Sequence, residues 1–122
     1  MILKKIKQKI RRWYYFKVKK ISLYDYNAMN MRARGIKVGT GGGIFTDVNC
    51  AEPYLITIGN YVTLSTNIQF CTHDNAICKF TDKSDLVGEI KIGSGSFIGM
   101  NSIIMYGVEI GEDSYWGKFD CK

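Results

Sequence analysis

The sequence predicts a mainly β fold, a coil of stacked parallel strands behind a short N-terminal amphipathic helix, and three observations predict it. A six-residue apolar period runs through the later part of the chain. Glycine follows the period positions more often than composition explains. Charge is also unevenly divided: residues 1–37 carry 12 Lys/Arg against one acid, Asp25, while residues 38–122 carry 5 against 10. The net +6 thus combines a segment at +11 with one at −5.

The 122 residues predict one domain and leave no room for an appended nucleotide-binding or kinase domain. Apolar residues at 46% and charged residues at 23% match an ordinary globular chain and argue against disorder. Lys4, Lys5, Lys7, Lys9, Arg11 and Arg12 interrupt the one place where the apolar region of a signal peptide would fall. No apolar run approaches the roughly 20 residues that span a bilayer. The expected location is therefore cytoplasmic, either free or at the inner face of the membrane. The four cysteines show no Cys-x-x-Cys spacing, so reduced and mostly buried thiols are expected. One histidine among scattered cysteines is a poor zinc donor set, and no metal is expected.

Residues 1–37 form the first, basic helical segment. Leu3, Ile6, Ile10, Trp13, Ile21 and Tyr24 recur near helical spacing with Lys and Arg between them, which predicts one amphipathic helix over 2–24. Two uses fit that pattern. The helix lies on an anionic lipid surface as a peripheral membrane contact through residues 1–24, or it packs its apolar stripe on the main domain or a neighbouring subunit. The same charge and aromatic residues would suit nucleic acid, but no recognition motif accompanies them, and none is expected as a partner.

Residues 38–122 form the second segment, rich in glycine and β-branched residues. Ile58, Leu64 and Phe70 stand six apart, and after a break Ile92, Ile98, Ile104, Ile110 and Trp116 resume the period. Glycine directly follows five of these eight (Gly59, Gly93, Gly99, Gly111, Gly117), although only 13 residues of the chain are glycine. Four places after six of the eight leaders stands a small or branched residue: Val62, Ile68, Ser96, Ser102, Val108 and Ser114. Short strands joined by tight corners need one inward apolar side chain per face and a permissive backbone near each corner. Three hexads make one triangular coil, and the segment, less an inserted loop at 75–86, amounts to about four coils.

These hexads, with the stretches EPYLITIGNYVTLSTNIQFCTHD at 52–74 and IKIGSGSFIGMNSIIMYGVEIG at 90–111, resemble the hexapeptide-repeat acyltransferases. The likeness is strongest to the bacterial O-acetyltransferases that act on surface polysaccharides. The resemblance implies a left-handed parallel β-helix, an exception to the right-handed crossover rule. It further implies a homotrimer and an enzyme that moves an acetyl group from acetyl-CoA to a sugar or glycan hydroxyl. A histidine acts as general base in such enzymes, and here only His73 is available. The need is chemical: a sugar hydroxyl is a poor nucleophile at neutral pH, a thioester is already an activated donor, and an imidazole titrates in the useful range.

His73 follows Phe70-Cys71-Thr72 at the point where the repeat stops, and an interrupted repeat is where a solenoid projects a functional loop. Asp74 is a candidate substrate contact, or else a cap for the loop, since neighbouring strand side chains point oppositely. Asp47 and Glu52 are acidic candidates for acceptor hydroxyls. Phe97 matches a position that is often aromatic in related acetyltransferases, with a packing role as the alternative. Gly99 and Gly107 are candidate cofactor contacts that would admit the pantetheine arm of CoA, although tight corners also require glycine. The loop 75–86 is expected to protrude toward a neighbouring subunit or the acceptor.

The resemblance weakens at the end. Where a further coil would follow Gly111, the sequence runs GEDSYWGKFDCK and stops. This suggests a shortened form with an unpaired last edge, exposed Trp116 and Phe119, and weakened hold on CoA. The alternative function is therefore a truncated, non-catalytic solenoid acting as a structural or interaction protein. A zinc-dependent carbonic anhydrase of the same architecture needs three histidines and is excluded.

Overall fold

The computed structural model describes residues 1–117, so Phe119 and Cys121 lie outside the described residues. The single helix predicted over 2–24 is two. Helix α1 spans Ile2–Trp13 and continues as a π-helical turn through Tyr14–Val18. The chain then bends, with Lys20 in the left-handed region at φ +51°, before α2 at Leu23–Ala33. The apolar spacing carries on through Ile21 and Tyr24, which hides the break. The stop is written instead in Ser22, whose Oγ accepts from the Asp25 backbone N–H at 3.2 Å while its hydroxyl donates to the Asp25 carboxylate at 2.6 Å, a side-chain cap on α2.

Among the described residues twelve short strands follow: β1 Lys37–Val38, β2 Gly43–Ile44, β3 Ile56–Ile58, β4 Thr63–Leu64, β5 Gln69–Cys71, β6 His73–Asp74, β7 Leu86–Val87, β8 Ile90–Ile92, β9 Phe97–Ile98, β10 Ile103–Met105, β11 Glu109–Ile110 and β12 Tyr115–Trp116. Three sheets are parallel, with orders β1-β3-β8-β11, β2-β4-β9-β12 and β5-β10, and β6 pairs antiparallel with β7. From β3 onward, apart from the β6–β7 pair, the chain visits the three parallel sheets in cyclic order.

The apolar leaders stack as predicted. Val38, Ile58, Ile92 and Ile110 form one column, Ile44, Leu64, Ile98 and Trp116 a second, and Phe70 pairs with Ile104 in the third sheet. All the predicted leaders except Trp116 are buried, and Val62, Ile68 and Val48 fill the space between columns. The steps along the columns are 20, 34 and 18 residues. The last is three hexads. The first shows that the earliest coil holds two extra residues, and the second that the excursion adds 16 residues to its coil.

The glycines after the leaders act differently from the prediction. None of Gly59, Gly93, Gly99, Gly111 and Gly117 has a positive φ. The left-handed corners lie three residues after the leaders, at Tyr61, Asn67, Gly95, Asn101, Gly107 and Asp113. Glycine after a leader answers to the next coil: a Cβ at Gly59 would stand 2.6 Å from the Ser94 backbone nitrogen, and one at Gly93 2.5 Å from that of Glu112. At one corner the asparagines also bond across coils, with Asn67 Nδ2 donating to Asn101 Oδ1 at 2.7 Å.

Helix α2 closes the first coil. β1 and β2 are edge strands of their sheets, and exposed edges invite pairing with other chains. Ala28 and Met31 of α2 are buried in the core. Asn27 Nδ2 donates to the Ile44 carbonyl at 2.9 Å, and Arg32 donates to the carbonyls of Val38 at 3.0 Å and Gly39 at 2.5 Å. Edge acceptors are thereby satisfied while the apolar end of the stack is covered.

Candidate active site

The site begins where the third sheet is left. Phe70 turns inward on β5, Thr72 is buried, and the chain then departs into the β6–β7 pair, in which His73 stands opposite Val87. The Thr72 carbonyl accepts from the Gly88 N–H at 3.1 Å, which ties the outgoing and returning limbs together. Between them, residues 75–85 make a short 3-10 turn at Ala76–Lys79 and a surface loop with Phe80 almost fully exposed, so the predicted insertion at 75–86 ends inside β7.

His73 Nδ1 lies 2.9 Å from Glu52 Oε2, and the Thr72 hydroxyl donates to the same oxygen at 2.5 Å. The Thr72 hydroxyl first, and His73 second, hold the Glu52 carboxyl below the usual carboxylate range. The hydrogen bond to Glu52, then its charge, raises the His73 imidazole above its ordinary value. A carboxylate can only accept, so Nδ1 carries the proton and Nε2 of the neutral ring is left as the proton acceptor. The side chains are 42% exposed at His73 and 21% at Glu52, so the imidazole is open to solvent while its partner is partly shielded.

Glu52 is the partner that sequence reasoning placed elsewhere, among acceptor contacts. A signal for it existed. Glu52 precedes Thr72 by 20 residues, the same step that pairs Val38 with Ile58 and Ile44 with Leu64. Glu52 thus sits one coil below Thr72, and the two extra residues of the first coil conceal that from a strict period of 18.

The other candidates fall in different places. Asp74 Oδ1 accepts from the Ala76 N–H at 2.8 Å and so caps the 3-10 turn. Asp47 pairs with Arg34 at 3.2 Å. Phe97 on β9 stacks on Tyr115 of β12, ring centres 5.2 Å apart, and is 37% exposed. Gly99 packs against Gly117 and the Trp116 carbonyl. Gly107 occupies a left-handed corner at φ +78°, where an added Cβ would meet nothing within 4 Å. Its N–H donates to the Glu89 carbonyl at 2.8 Å, and it lines a shallow cavity of about 270 Å³ with Glu89, Lys91, Val108 and Glu109. Gly88 packs against this corner, so the returning limb connects it to the His73 limb. His73, Glu52 and Thr72 are therefore brought together, with the Gly107 corner beside them, whereas Asp47, Phe97 and Gly99 make no bond to that group.

Cys50, Cys71 and Cys78 are free; the first two are half-buried, and Cys78 lies exposed in the loop, which corrects the expectation of mostly buried thiols. Among the described residues no three His, Cys, Asp or Glu side chains are placed to hold a metal ion, and no helix is long and apolar enough to cross a membrane.

The chain is similar to "Protein CapG" of Staphylococcus aureus, 48% identical over 61 residues that cover 48% of this chain and 36% of that protein. It is also similar to a protein of Schizosaccharomyces pombe named "Putative acetyltransferase C18B11.09c", 37% identical over 87 residues that cover 68% of this chain and 42% of that protein. The chain thus spans less than half the length of the curated relatives it matches. No family model matches it, and no solved structure does.

Proposed function

We propose that this chain carries the base of an acetyltransferase that moves an acetyl group from acetyl-CoA to a sugar or glycan hydroxyl. The observation that carries the reading is the Glu52–Thr72–His73 group, in which Nδ1 donates to Glu52 and Nε2 of the neutral ring is left able to accept a proton. The name of the Schizosaccharomyces pombe relative supports acyl transfer, and the stacked parallel sheets support the left-handed parallel β-helix that the hexads imply.

In the reaction, His73 Nε2 takes the hydroxyl proton as the oxygen bonds to the thioester carbonyl carbon. The carbon–sulfur bond then breaks, and the imidazolium returns the proton to the departing sulfur. The ring starts and ends neutral, and Glu52 stabilises the cation between. Gly107, with no side chain over its cavity, fits a site where the donor's arm runs close to the backbone. Exposed Ile103 and Met105, with the half-exposed Phe97–Tyr115 stack, suit burial between copies in a homotrimer. A donor made in the cytoplasm fits a reaction there.

The test is incubation of the chain with acetyl-CoA and a panel of nucleotide sugars and oligosaccharides, with thiol release and product mass both recorded. An acetylated sugar whose added mass is lost in mild alkali, as an ester is, supports the reading. Binding of acetyl-CoA with no product on any acceptor overturns the acceptor class, and an alkali-stable amide product overturns O-transfer.

A further inference from the structure

Helix α1 is oriented the opposite way from a surface helix of an isolated globular domain, which turns its apolar stripe to the core. At 100° per residue, Ile2, Leu3, Ile6, Ile10 and Trp13 occupy one arc of about 100°. No residue of α1 is buried; Ile2 is 75% exposed, Ile10 60% and Trp13 59%. The polar face turns inward instead. Lys5, Lys9 and Arg12 line a cavity of about 570 Å³ whose far wall includes Asn27, Asn30 and Arg34. The apolar arc therefore points away from the body, and the expectation that it packs on the main domain is overturned.

We infer that α1 docks this chain on an anionic lipid surface, with its apolar arc set into the headgroup boundary. Charge complementarity selects the occupant. Helix α1 holds six Lys/Arg and no acid, and Lys17, Lys19 and Lys20 follow it. A second copy of so basic a segment would be repelled, whereas acidic headgroups attract it. Placement agrees with charge: Lys7, off the cavity wall, borders the apolar arc, where its stem can reach headgroups, and Trp13 sits within the arc as an interfacial aromatic. This surface is independent of the His73 group and needs no acyl-transfer chemistry.

The experiment uses the full chain carrying Trp116→Phe, so that Trp13 is its only tryptophan. It is mixed with vesicles of phosphatidylcholine alone or with phosphatidylglycerol, and fluorescence and flotation are recorded at low and high salt. The expected result is a blue shift of Trp13 and flotation with the phosphatidylglycerol vesicles only, both weakened by salt. Lys4→Gln with Lys7→Gln, two exposed changes off the cavity wall, should lower partitioning on the order of 30-fold. Ile6→Glu with Ile10→Glu should abolish it while circular dichroism stays unchanged, because neither residue is buried. No binding to either vesicle, or equal binding to both, overturns the proposal. Self-association without vesicle binding, lost in the Ile6→Glu/Ile10→Glu variant, also overturns it and assigns the face to a second copy.

Discussion

Glu52 and His73, 21 residues apart in sequence, meet with Oε2 and Nδ1 at 2.9 Å because one coil of the stack lies between them. The contact is made on a chain with a single histidine, so its titration can be read without ambiguity. In NMR titration the imidazole pKa should lie above the ordinary histidine value and fall back toward about 6.5 in Glu52→Gln. The sign for stability follows. With His73 raised, its contribution is full below the unfolded imidazole value and lost as pH rises through the folded one. With Glu52 lowered, its contribution is present above the unfolded carboxyl value and lost as pH falls through the folded one. The pair therefore stabilises most between the two, while the neutral ring, the form able to accept a proton, accumulates above that window.

The buried Thr72 hydroxyl should matter through Glu52. Thr72→Val keeps the shape but leaves the carboxylate one donor short, so the Glu52 pKa should rise toward its ordinary value. Carboxyl NMR on labelled glutamate measures it. An unchanged Glu52 signal would show that the 2.5 Å contact carries no weight.

Two glycines separate close packing from backbone conformation. Gly93→Ala drives a methyl into the backbone of the next coil and should cost about 1–3 kcal/mol through overpacking. Gly107→Ala meets no atoms and should cost only the left-handed penalty, about 1–2 kcal/mol. Denaturant melts compare them, and a larger loss at Gly107 would contradict the packing argument.

Capping of the first coil by α2 predicts that Met31→Ala loses about 2–5 kcal/mol, as a large core truncation does. Asn27→Ala leaves the Ile44 carbonyl without its side-chain donor and should cost about 1–3 kcal/mol. Thermal melts of both variants check this, and melts unchanged from the parent would mean that the helix is not part of the cooperative unit.

Much of the stack was legible because a coil of parallel strands repeats its demands locally. Each leader must be apolar and each close approach between coils must lack a Cβ, so Ile92 and Gly93 speak for themselves. The same period misassigned the reason for the glycines, since the left-handed corners are filled as readily by Asn67, Asn101 and Asp113 as by glycine. The place of His73 at the interruption of the coil was legible from where the repeat stops. Its partner was not, because contacts between coils depend on the number of residues per coil, and two extra residues in the first coil shift Glu52 out of the regular step. The direction faced by α1 is likewise absent from its sequence: the amphipathic spacing gives the apolar arc, but which way the arc faces depends on how the chain bends between α1 and α2, where Lys20 is in the left-handed region.

The central claim is that His73 is the proton acceptor of an acetyl transfer, and the most direct measurement is the rate of thiol release from acetyl-CoA with a productive acceptor, for the parent chain and His73→Ala. Loss of the base should lower the rate about 10²–10⁴-fold with acetyl-CoA binding retained. A His73→Ala chain that folds, binds acetyl-CoA and turns over at the parent rate would contradict the account.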